Sequence, residues 1–248
     1  MTNISDKNQL SPRQKTLLFA VVKEYCETGQ NVGSKEIKDK YNFRFSAATI
    51  RNEFAKLRDL GFLFQPFTNS SSQPTEKAFK MFINQLLQGL QVTTQRQKEL
   101  QIQLLMMQQK QSTLDKEISK LLAIQTKSVG FLVNEQDENV SGLKNLLETG
   151  SEGKVSDLLD FLENLDSYKQ LLLEGGEKTE NSKKHNKLQT FFGSDNPIIP
   201  LGQGFAMVSA SITIKKQKSV VGLIAPTHLL AKKKNLELIE GISKLLGD

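Results

Sequence analysis

Residues 46–61, SAATIRNEFAKLRDLG, set the fold of the N-terminal part of the chain. Ser46 is a strong helix cap and Gly61 a strong helix stop, so the stretch predicts a helix from Ser46 to Leu60. One face is apolar at three- or four-residue spacing, which predicts burial of Ala47, Ile50, Phe54, Leu57 and Leu60. The opposite face is small, hydrogen-bonding or cationic: Ala48, Arg51, Asn52, Ala55 and Lys56, with Thr49 on its flank. Small residues let a helix approach the major groove of DNA, and guanidinium or amide groups read base edges there, so this face is a candidate DNA-reading surface.

The flanking sequence predicts two helices before this one and a strand with a returning loop after it. The helices span residues 11–28 and 34–41, and the strand spans residues 62–65. This order is typical of the winged helix-turn-helix, whose loop lies beside the free helix face. Thr68 and Asn69 are the loop residues that we expect to contact DNA. The alternative is a small helical domain that binds only protein.

The charge of the chain is unevenly distributed. Lys and Arg number 33 against 27 Asp and Glu, a formal net charge of +6. Residues 1–85 hold 13 basic and 8 acidic side chains, whereas residues 131–180 hold 4 basic and 12 acidic side chains. A basic N-terminal part favours contact with a polyanion, although a solvated charged surface would give the same modest excess.

Composition and motifs argue against several classes of function. One cysteine, Cys26, excludes a disulfide framework and a cysteine-based zinc site, and two histidines exclude a histidine-rich metal centre. The sequence has no Walker loop, dinucleotide-binding turn or nucleophile elbow, so we expect neither enzyme activity nor a cofactor. The polar N-terminus and the lack of a long apolar window predict a cytoplasmic protein without membrane contact.

A segment rich in Gln, Lys and Leu, from Thr94 to Gln125, predicts a long helix. A mostly apolar set of residues, interrupted by two glutamines, recurs in it at alternating steps of four and three residues, as in a coiled coil: Leu100, Leu104, Met107, Gln111, Leu114, Ile118, Leu121 and Gln125. At about 1.5 Å per residue, one continuous helix would reach roughly 45 Å. A dimerising helix is one interpretation, because a two-fold DNA site favours a two-fold protein. The alternatives are an ordinary core helix, or two helices broken near residues 108–112.

The remainder of the chain predicts a domain of mixed α and β structure. Residues 129–133 form an apolar run typical of a buried strand, and short acidic amphipathic helices follow it. Residues 205–214 predict a half-buried strand, because apolar and small polar residues alternate from Val208 to Ile214, and residues 220–224 predict the returning strand. A final helix is expected over residues 232–246.

Two blocks of sequence resemble the HrcA-type heat-inducible transcription repressors. The first starts at Leu10-Ser-Pro-Arg-Gln14 and is densest in Ser46-Ala-Ala-Thr-Ile-Arg-Asn-Glu53. The second pairs Phe192-Gly193-Ser194-Asp195-Asn196 with Gly222-Leu-Ile-Ala-Pro-Thr227. The order of the two blocks matches that family, and the chain is similar to a shortened, divergent member of it.

The resemblance implies an α+β chain in three parts. These are a winged helix-turn-helix over residues 1–90, a helical linker or dimerisation segment over 91–126, and a reduced GAF-like domain over 127–248. It implies a homodimeric repressor that binds an inverted repeat in double-stranded DNA upstream of chaperone operons and that a chaperonin assists. It also implies DNA contacts from Thr49, Arg51, Asn52 and Lys56, with Lys35 and Ser46 on phosphate. The alternative is a winged-helix module for protein assembly with weak or nonspecific DNA binding.

The chain departs from the family pattern in its C-terminal signature, where Ala225 and His228-Leu229 replace the usual Gly and Arg-Met, and in two further places. The family's wing usually carries Ala-Gly-Arg-Ile before Pro-Thr, whereas Ser70-Ser71-Ser72-Gln73 stands here, so the wing arginine is missing. This predicts weaker DNA binding with a salt dependence reduced by roughly one charge. The stretch between Val133 and the acidic helices, which in the family supplies part of the GAF-like sheet and the insertion, is also deleted, so we expect a reduced domain.

Overall fold

A computed structural model of the protein describes residues 10–67, 71–108, 114–148, 155–174, 188–193, 199–214 and 216–247. The chain divides into two compact units, Met1–Asn84 and Gln85–Asp248, here called unit 1 and unit 2. Helices and antiparallel strands both contribute, which confirms the α+β class. The finer division into domains at residues 90 and 126 stays a prediction.

Unit 1 combines helices with a short hairpin. Its elements are α1 (Pro12–Thr28), α2 (Ser34–Tyr41), α3 (Ala47–Asp59), β1 (Leu63–Phe64), β2 (Gln73–Pro74) and α4 (Glu76–Gln88), whose last turn runs into unit 2. The helices form where local signals predict them. Ser11 caps α1 in a reciprocal pair with Gln14, and Gly29 ends it in the left-handed conformation at φ 70°. β1 and β2 pair antiparallel, with Leu63 opposite Pro74.

The core of unit 1 lies where the apolar faces of its helices meet. α2 has eight residues and buries Ile37, which is 0% exposed. The other fully buried side chains include Leu18, Val21, Val22, Ile50 and Leu57. Cys26 is buried too, as expected of a small core residue rather than a nucleophile. Burial of one face of each helix leaves the opposite face of α3 available to a partner.

Unit 2 is built around an antiparallel sheet. Its elements are α5 (Thr94–Gln108), α6 (Leu114–Thr126), β3 (Val129–Asn134), β4 (Glu138–Ser141), α7 (Leu143–Glu148), α8 (Val155–Glu163), α9 (Leu165–Glu174), β5 (Leu188–Phe192), β6 (Phe205–Ile214), β7 (Gln217–Pro226), α10 (Thr227–Leu230) and α11 (Lys233–Leu246). The order of the described strands is β4-β3-β7-β6-β5, and each neighbouring pair is antiparallel.

Helices cover both faces of this sheet. Alternate residues of β3, Val129, Phe131 and Val133, lie in one apolar cluster with leucines of α7, α8 and α9. α6 and α11 lie against the strands on the other side. A Cβ atom added at Gly130 would lie 2.3 Å from the backbone oxygen of Ser119 on α6, so glycine is what allows this helix to approach the sheet.

The prediction of one long helix over residues 94–125 is wrong. α5 ends at Gln108 and α6 begins at Leu114, and Gln111 lies outside the described residues. The side chain of Gln125 contacts both Arg96 and Gln103, at 2.6 and 2.9 Å, so α6 folds back along α5. The physical reason is burial within one chain, because folding back covers the apolar stripe: Leu100, Leu104, Ile118 and Leu121 are all buried. The structure agrees with the alternative prediction of two helices that are broken near residues 108–112. Dimerisation stays a prediction.

The sheet of unit 2 has five strands among the described residues, and the reduction of this domain relative to the family stays a prediction. β4 follows β3 through a short turn, and β5 pairs with β6, with Leu188 opposite Ala210. The predicted acidic helices are present as α7, α8 and α9. Along the described residues, no helix is long and apolar enough to cross a membrane.

Candidate nucleic-acid interface

α3 starts at a hydroxyl cap. The Ser46 Oγ accepts a hydrogen bond from the Thr49 backbone N–H at 3.0 Å, and the two hydroxyl oxygens lie 2.9 Å apart. Ser46 and Thr49, both predicted to contact DNA, are therefore joined to each other at the first turn of the helix. This pair fixes where α3 begins. The backbone N–H groups of its first turn that have no partner within the helix project from this N-terminal end.

One face of α3 is buried and the opposite face is exposed, as the spacing predicts. Ile50, Glu53, Phe54 and Leu57 are buried. Ala48, Arg51, Asn52 and Lys56 are exposed and lie together on the other side. Arg51 and Asn52 have no side-chain partner within the described part of the chain. Their guanidinium and amide groups are thus available to an external partner.

Glu53 is the buried charge that anchors α3, and no local sequence pattern indicates that Arg13 and Gln14 contact it. Its side chain is 4% exposed, and its carboxylate accepts from Arg13 Nη2 at 2.8 Å and from Gln14 Nε2 at 3.2 Å. Lys56 Nζ lies 3.4 Å from the same carboxylate. A buried carboxylate needs such donors to offset its lost hydration. Lys56 therefore shares its charge with Glu53 and has less of it to offer a phosphate.

Three aromatic rings form a column on the turn between α2 and α3. The ring centroids of Tyr41 and Phe43 are 6.2 Å apart, those of Phe43 and Phe45 are 6.5 Å apart, and both interplanar angles are 24°. Lys23 lies 5.9 Å from the Tyr41 centroid, and Arg13 lies 5.4 Å from that of Phe45. Cations thus cover both ends of the column, the geometry in which the ring faces attract them. The column fixes the turn that leads into α3.

A second buried carboxylate joins α1 to α2. Glu24 is 2% exposed, and Lys40 Nζ lies 2.7 Å from its Oε2. The hydrogen bond from Lys40 to Glu24 raises the pKa of the lysine above its ordinary value. The Tyr41 hydroxyl donates to Glu24 at 3.4 Å, and burial together with the negative charges of Glu24 and Glu27 raises the pKa of Tyr41 to about 12. The two helices before α3 are therefore held by charge as well as by apolar contact.

The hairpin is fastened to the helices by polar contacts. Arg58 Nη1 donates to the Ser72 hydroxyl at 3.2 Å, which joins α3 to the chain entering β2. Gln73 Nε2 donates to the Tyr25 hydroxyl at 2.7 Å, which joins the same strand to α1. Backbone hydrogen bonds between Val32 and Ser72 add a bridge from the loop before α2. The base of the hairpin is thereby fixed beside the end of α3.

The tip of the hairpin is apolar where it is described. Phe64 is 54% exposed and Phe67 is 77% exposed. Thr68 and Asn69, the predicted wing contacts, lie outside the described residues. Lys35, the predicted phosphate contact of α2, is exposed in the first turn of that helix. The sequence patterns thus located the exposed face of α3 and missed the two phenyl groups, whose exposure no local signal indicates.

No metal site competes with this interpretation in the described ranges. Among those residues no three His, Cys, Asp and Glu side chains come together to hold a metal ion. The arrangement of unit 1 therefore offers recognition groups, namely a guanidinium, an amide and lysines, on a helix that is anchored on its other side.

Comparison with known proteins assigns the family. A family model described as HrcA protein C terminal domain matches residues 64–230, more than half of the chain. The heat-inducible transcription repressor HrcA of Synechococcus sp. (strain JA-2-3B'a(2-13)) is 43% identical over 81 residues, which are 33% of this chain and 21% of that protein. Its namesake from Lachnoclostridium phytofermentans (strain ATCC 700394 / DSM 18823 / ISDg) is 30% identical over 128 residues, 52% of this chain and 36% of that protein. The chain thus spans between about a fifth and about a third of these two relatives.

A solved structure shares the fold. It is the crystal structure of a hypothetical protein at 2.2 Å resolution, with a TM-score of 0.69 at 17% sequence identity. The match covers 96% of this chain and 97% of the other chain. At this identity the similarity shows the fold alone, whereas the match over residues 64–230 assigns the family. The chain therefore belongs to the HrcA family of heat-inducible transcription repressors.

Proposed function

We propose that this protein is a transcriptional repressor that binds an inverted-repeat operator in double-stranded DNA upstream of heat-shock and chaperone operons. The relatives that share its sequence are named heat-inducible transcription repressors. In this proposal unit 1 is a winged helix-turn-helix, and α3 is its recognition helix. The protein acts as a homodimer, because two half-sites of an inverted repeat require two copies of α3.

The free face of α3 carries the proposal. Arg51 and Asn52 are exposed and have no side-chain partner in the described part of the chain, while Glu53 between them and the core is fully engaged. An arginine can donate two hydrogen bonds to the O6 and N7 atoms of guanine, and an asparagine can pair in the same way with adenine. Ala48 has no bulk to hold the helix away from the groove. These features are what a base-reading helix needs.

The remaining contacts are assigned to the DNA backbone. Lys35 in the first turn of α2 and Ser46 at the start of α3 would face phosphates, with Thr49 beside them. Lys56 adds a weaker cation because Glu53 lies 3.4 Å from its ammonium group. Thr68 and Asn69 remain the proposed wing contacts. The chain needs no cofactor for this activity and carries out no catalytic step, and a chaperonin is its proposed folding partner.

A second candidate function is protein assembly through unit 1, with weak or nonspecific DNA binding. The exposed phenyl groups favour it, because Phe64 and Phe67 place apolar surface on β1 and on the residues that follow it. Exposed apolar side chains of this size are suited to contact with protein. The two candidates differ in their response to base sequence and to salt.

Gel-shift titrations separate the two candidates. The full chain is titrated with the operator repeat and with a scrambled duplex of the same length at several salt concentrations. We expect R51A to bind the operator about 5- to 150-fold more weakly, since a bidentate base contact is worth about 1–3 kcal/mol. K218A, on β7, removes one exposed charge from unit 2 and serves as the matched control, with unchanged affinity. Equal affinity of the wild type for the operator and the scrambled duplex would support protein assembly instead.

A further inference from the structure

We propose that a groove on unit 2 binds a small phosphate monoester with an apolar body. The groove lies between the end of α6 and the turn from β4 into α7, and its volume is about 320 Å³. Ligand sites in proteins span about 300–1,000 Å³, so this groove suits one small molecule. The inference concerns unit 2 alone and does not depend on DNA binding by unit 1.

The groove is shaped by two turns of unusual backbone conformation. Lys127, which follows α6, has a φ of 52°, and Gly142, which follows β4, has a φ of 88°. A side chain is uncommon at positive φ, and at Gly142 it would also collide with its neighbours. A Cβ atom there would lie 2.4 Å from the Ser128 oxygen and 2.7 Å from the Ala123 Cβ. The close approach of the two turns is therefore built into the sequence.

Three lysines line the groove, and two of them are not neutralised. Lys120 Nζ lies 3.3 Å from Glu117, which offsets its charge. In the described ranges, no carboxylate pairs with Lys127 or Lys144, which are both exposed. Two free ammonium groups match the charge of a phosphate monoester, which is about −1.5 to −2 at pH 7. Charge complementarity thus favours a dianion over a simple carboxylate.

The wall of the groove is apolar. Ile124 is 76% exposed and lines it beside Ala123. The nearby amide of Asn145 is already used, since its Nδ2 donates to the backbone oxygens of Ala123 and Ser128. Recognition of the ligand therefore falls to the lysines for the phosphate and to Ile124 for the apolar body. Burial of that side chain against a ligand ring would be favourable, as for any apolar surface removed from water.

Isothermal titration calorimetry of the full chain tests the proposal with phenyl phosphate as the probe. Phenol and inorganic phosphate are the comparison ligands, since each carries one half of the probe. We expect phenyl phosphate to bind about tenfold more tightly than either of them. Lack of saturable binding of phenyl phosphate overturns the proposal. Binding of inorganic phosphate as tight as that of phenyl phosphate overturns the apolar contact, and equally tight binding of phenol overturns the phosphate contact.

A matched pair of double variants locates the site. K127Q/K144Q removes the two free charges of the groove, and K98Q/K234Q removes two exposed charges elsewhere on unit 2. Each charge-assisted hydrogen bond is worth about a factor of ten, so we expect the first variant to bind phenyl phosphate about 100-fold more weakly. The second should bind like the wild type, and an equal loss in it shows that only the net charge matters, which refutes the site. Should the change at Lys127 disturb folding, K144Q alone is expected to weaken binding about tenfold, and unchanged binding refutes the proposal.

Discussion

Replacement of Arg13 with methionine tests whether its ion pair with Glu53 holds α3 on α1. The Arg13 side chain is 45% exposed, whereas that of Glu53 is 4% exposed. Removal of one partner from a fully buried pair costs about 3–5 kcal/mol. Because Arg13 is partly in water, and Gln14 and Lys56 still contact the carboxylate, we expect a smaller loss of about 2 kcal/mol. The change also removes the cation that lies over the Phe45 ring.

Hydrogen–deuterium exchange of the α3 amides in the full chain measures this loss where it occurs. A loss of about 2 kcal/mol in the free energy of local opening speeds exchange about 25-fold. Arg44→Met is the matched control. Arg44 is an exposed cation on the turn between α2 and α3, next to Phe45, and it has no partner in the described part of the chain. It should change exchange by no more than about twofold. Wild-type exchange rates in Arg13→Met, or equal acceleration in Arg44→Met, would refute the reasoning.

Three further outcomes follow from the geometry. Gly130→Ala should lower the free energy of unfolding by about 1–3 kcal/mol in thermal denaturation, because the added Cβ meets the backbone of α6, whereas Gly89→Ala meets nothing within 4 Å and should be tolerated. Burial and the nearby Glu24 carboxylate raise the pKa of Tyr41 from 10.0 to about 12, because both favour the neutral phenol in the folded protein. The contribution of this shift to the free energy of unfolding is therefore complete below pH 10 and is lost as the pH rises through 12. Tyr41→Phe should remove the phenolate absorbance step near pH 12, and an unchanged titration curve contradicts the assignment. Ser71→Arg adds one wing cation and should steepen the salt dependence of operator binding by about 0.9 on a log–log plot, and an unchanged slope contradicts wing contact with DNA.

The exposed face of α3 could be predicted because its signals are local. Ser46 caps the helix, and the apolar residues Ile50, Phe54 and Leu57 recur at helical spacing. Once that spacing fixes the buried side, the positions of Arg51 and Asn52 on the other side follow from helix geometry alone. The end of α1 at Gly29 and the start of α2 at Ser34 depend on equally short-range signals.

Two partners of Glu53, Arg13 and Gln14, could not be predicted, because they come from α1, about 40 residues earlier in the chain. A glutamate within a helix is most often exposed. Only the packing of α3 on α1 brings Arg13 and Gln14 to it. The aromatic column was missed for a related reason, since the spacing of Tyr41, Phe43 and Phe45 in a turn does not say that the rings stack.

The course of residues 94–125 depended on tertiary contacts that the heptad pattern does not contain. The same leucine spacing serves a long coiled coil and two shorter helices that cover a sheet. Here Leu100 and Ile118 are fully buried in unit 2, so the sheet and α11 supply what a second chain would supply in a coiled coil. β4 was missed because its residues, Glu138–Ser141, are polar apart from Val140 and show no clear alternation.

The position of β4 in the sheet affects whether copies of the chain can pair through their strands. Among the described strands β4 is the outermost one on one side of the sheet, so one row of its backbone donors and acceptors lies beyond the last ladder. The free backbone groups of an edge strand can pair with a strand of another polypeptide, and a short, charged edge strand disfavours such pairing. β4 has four residues and starts with an exposed glutamate, Glu138. Stacking of copies into a continuous β-fibril is therefore disfavoured at this edge, and any specific pairing there has to rely on side chains.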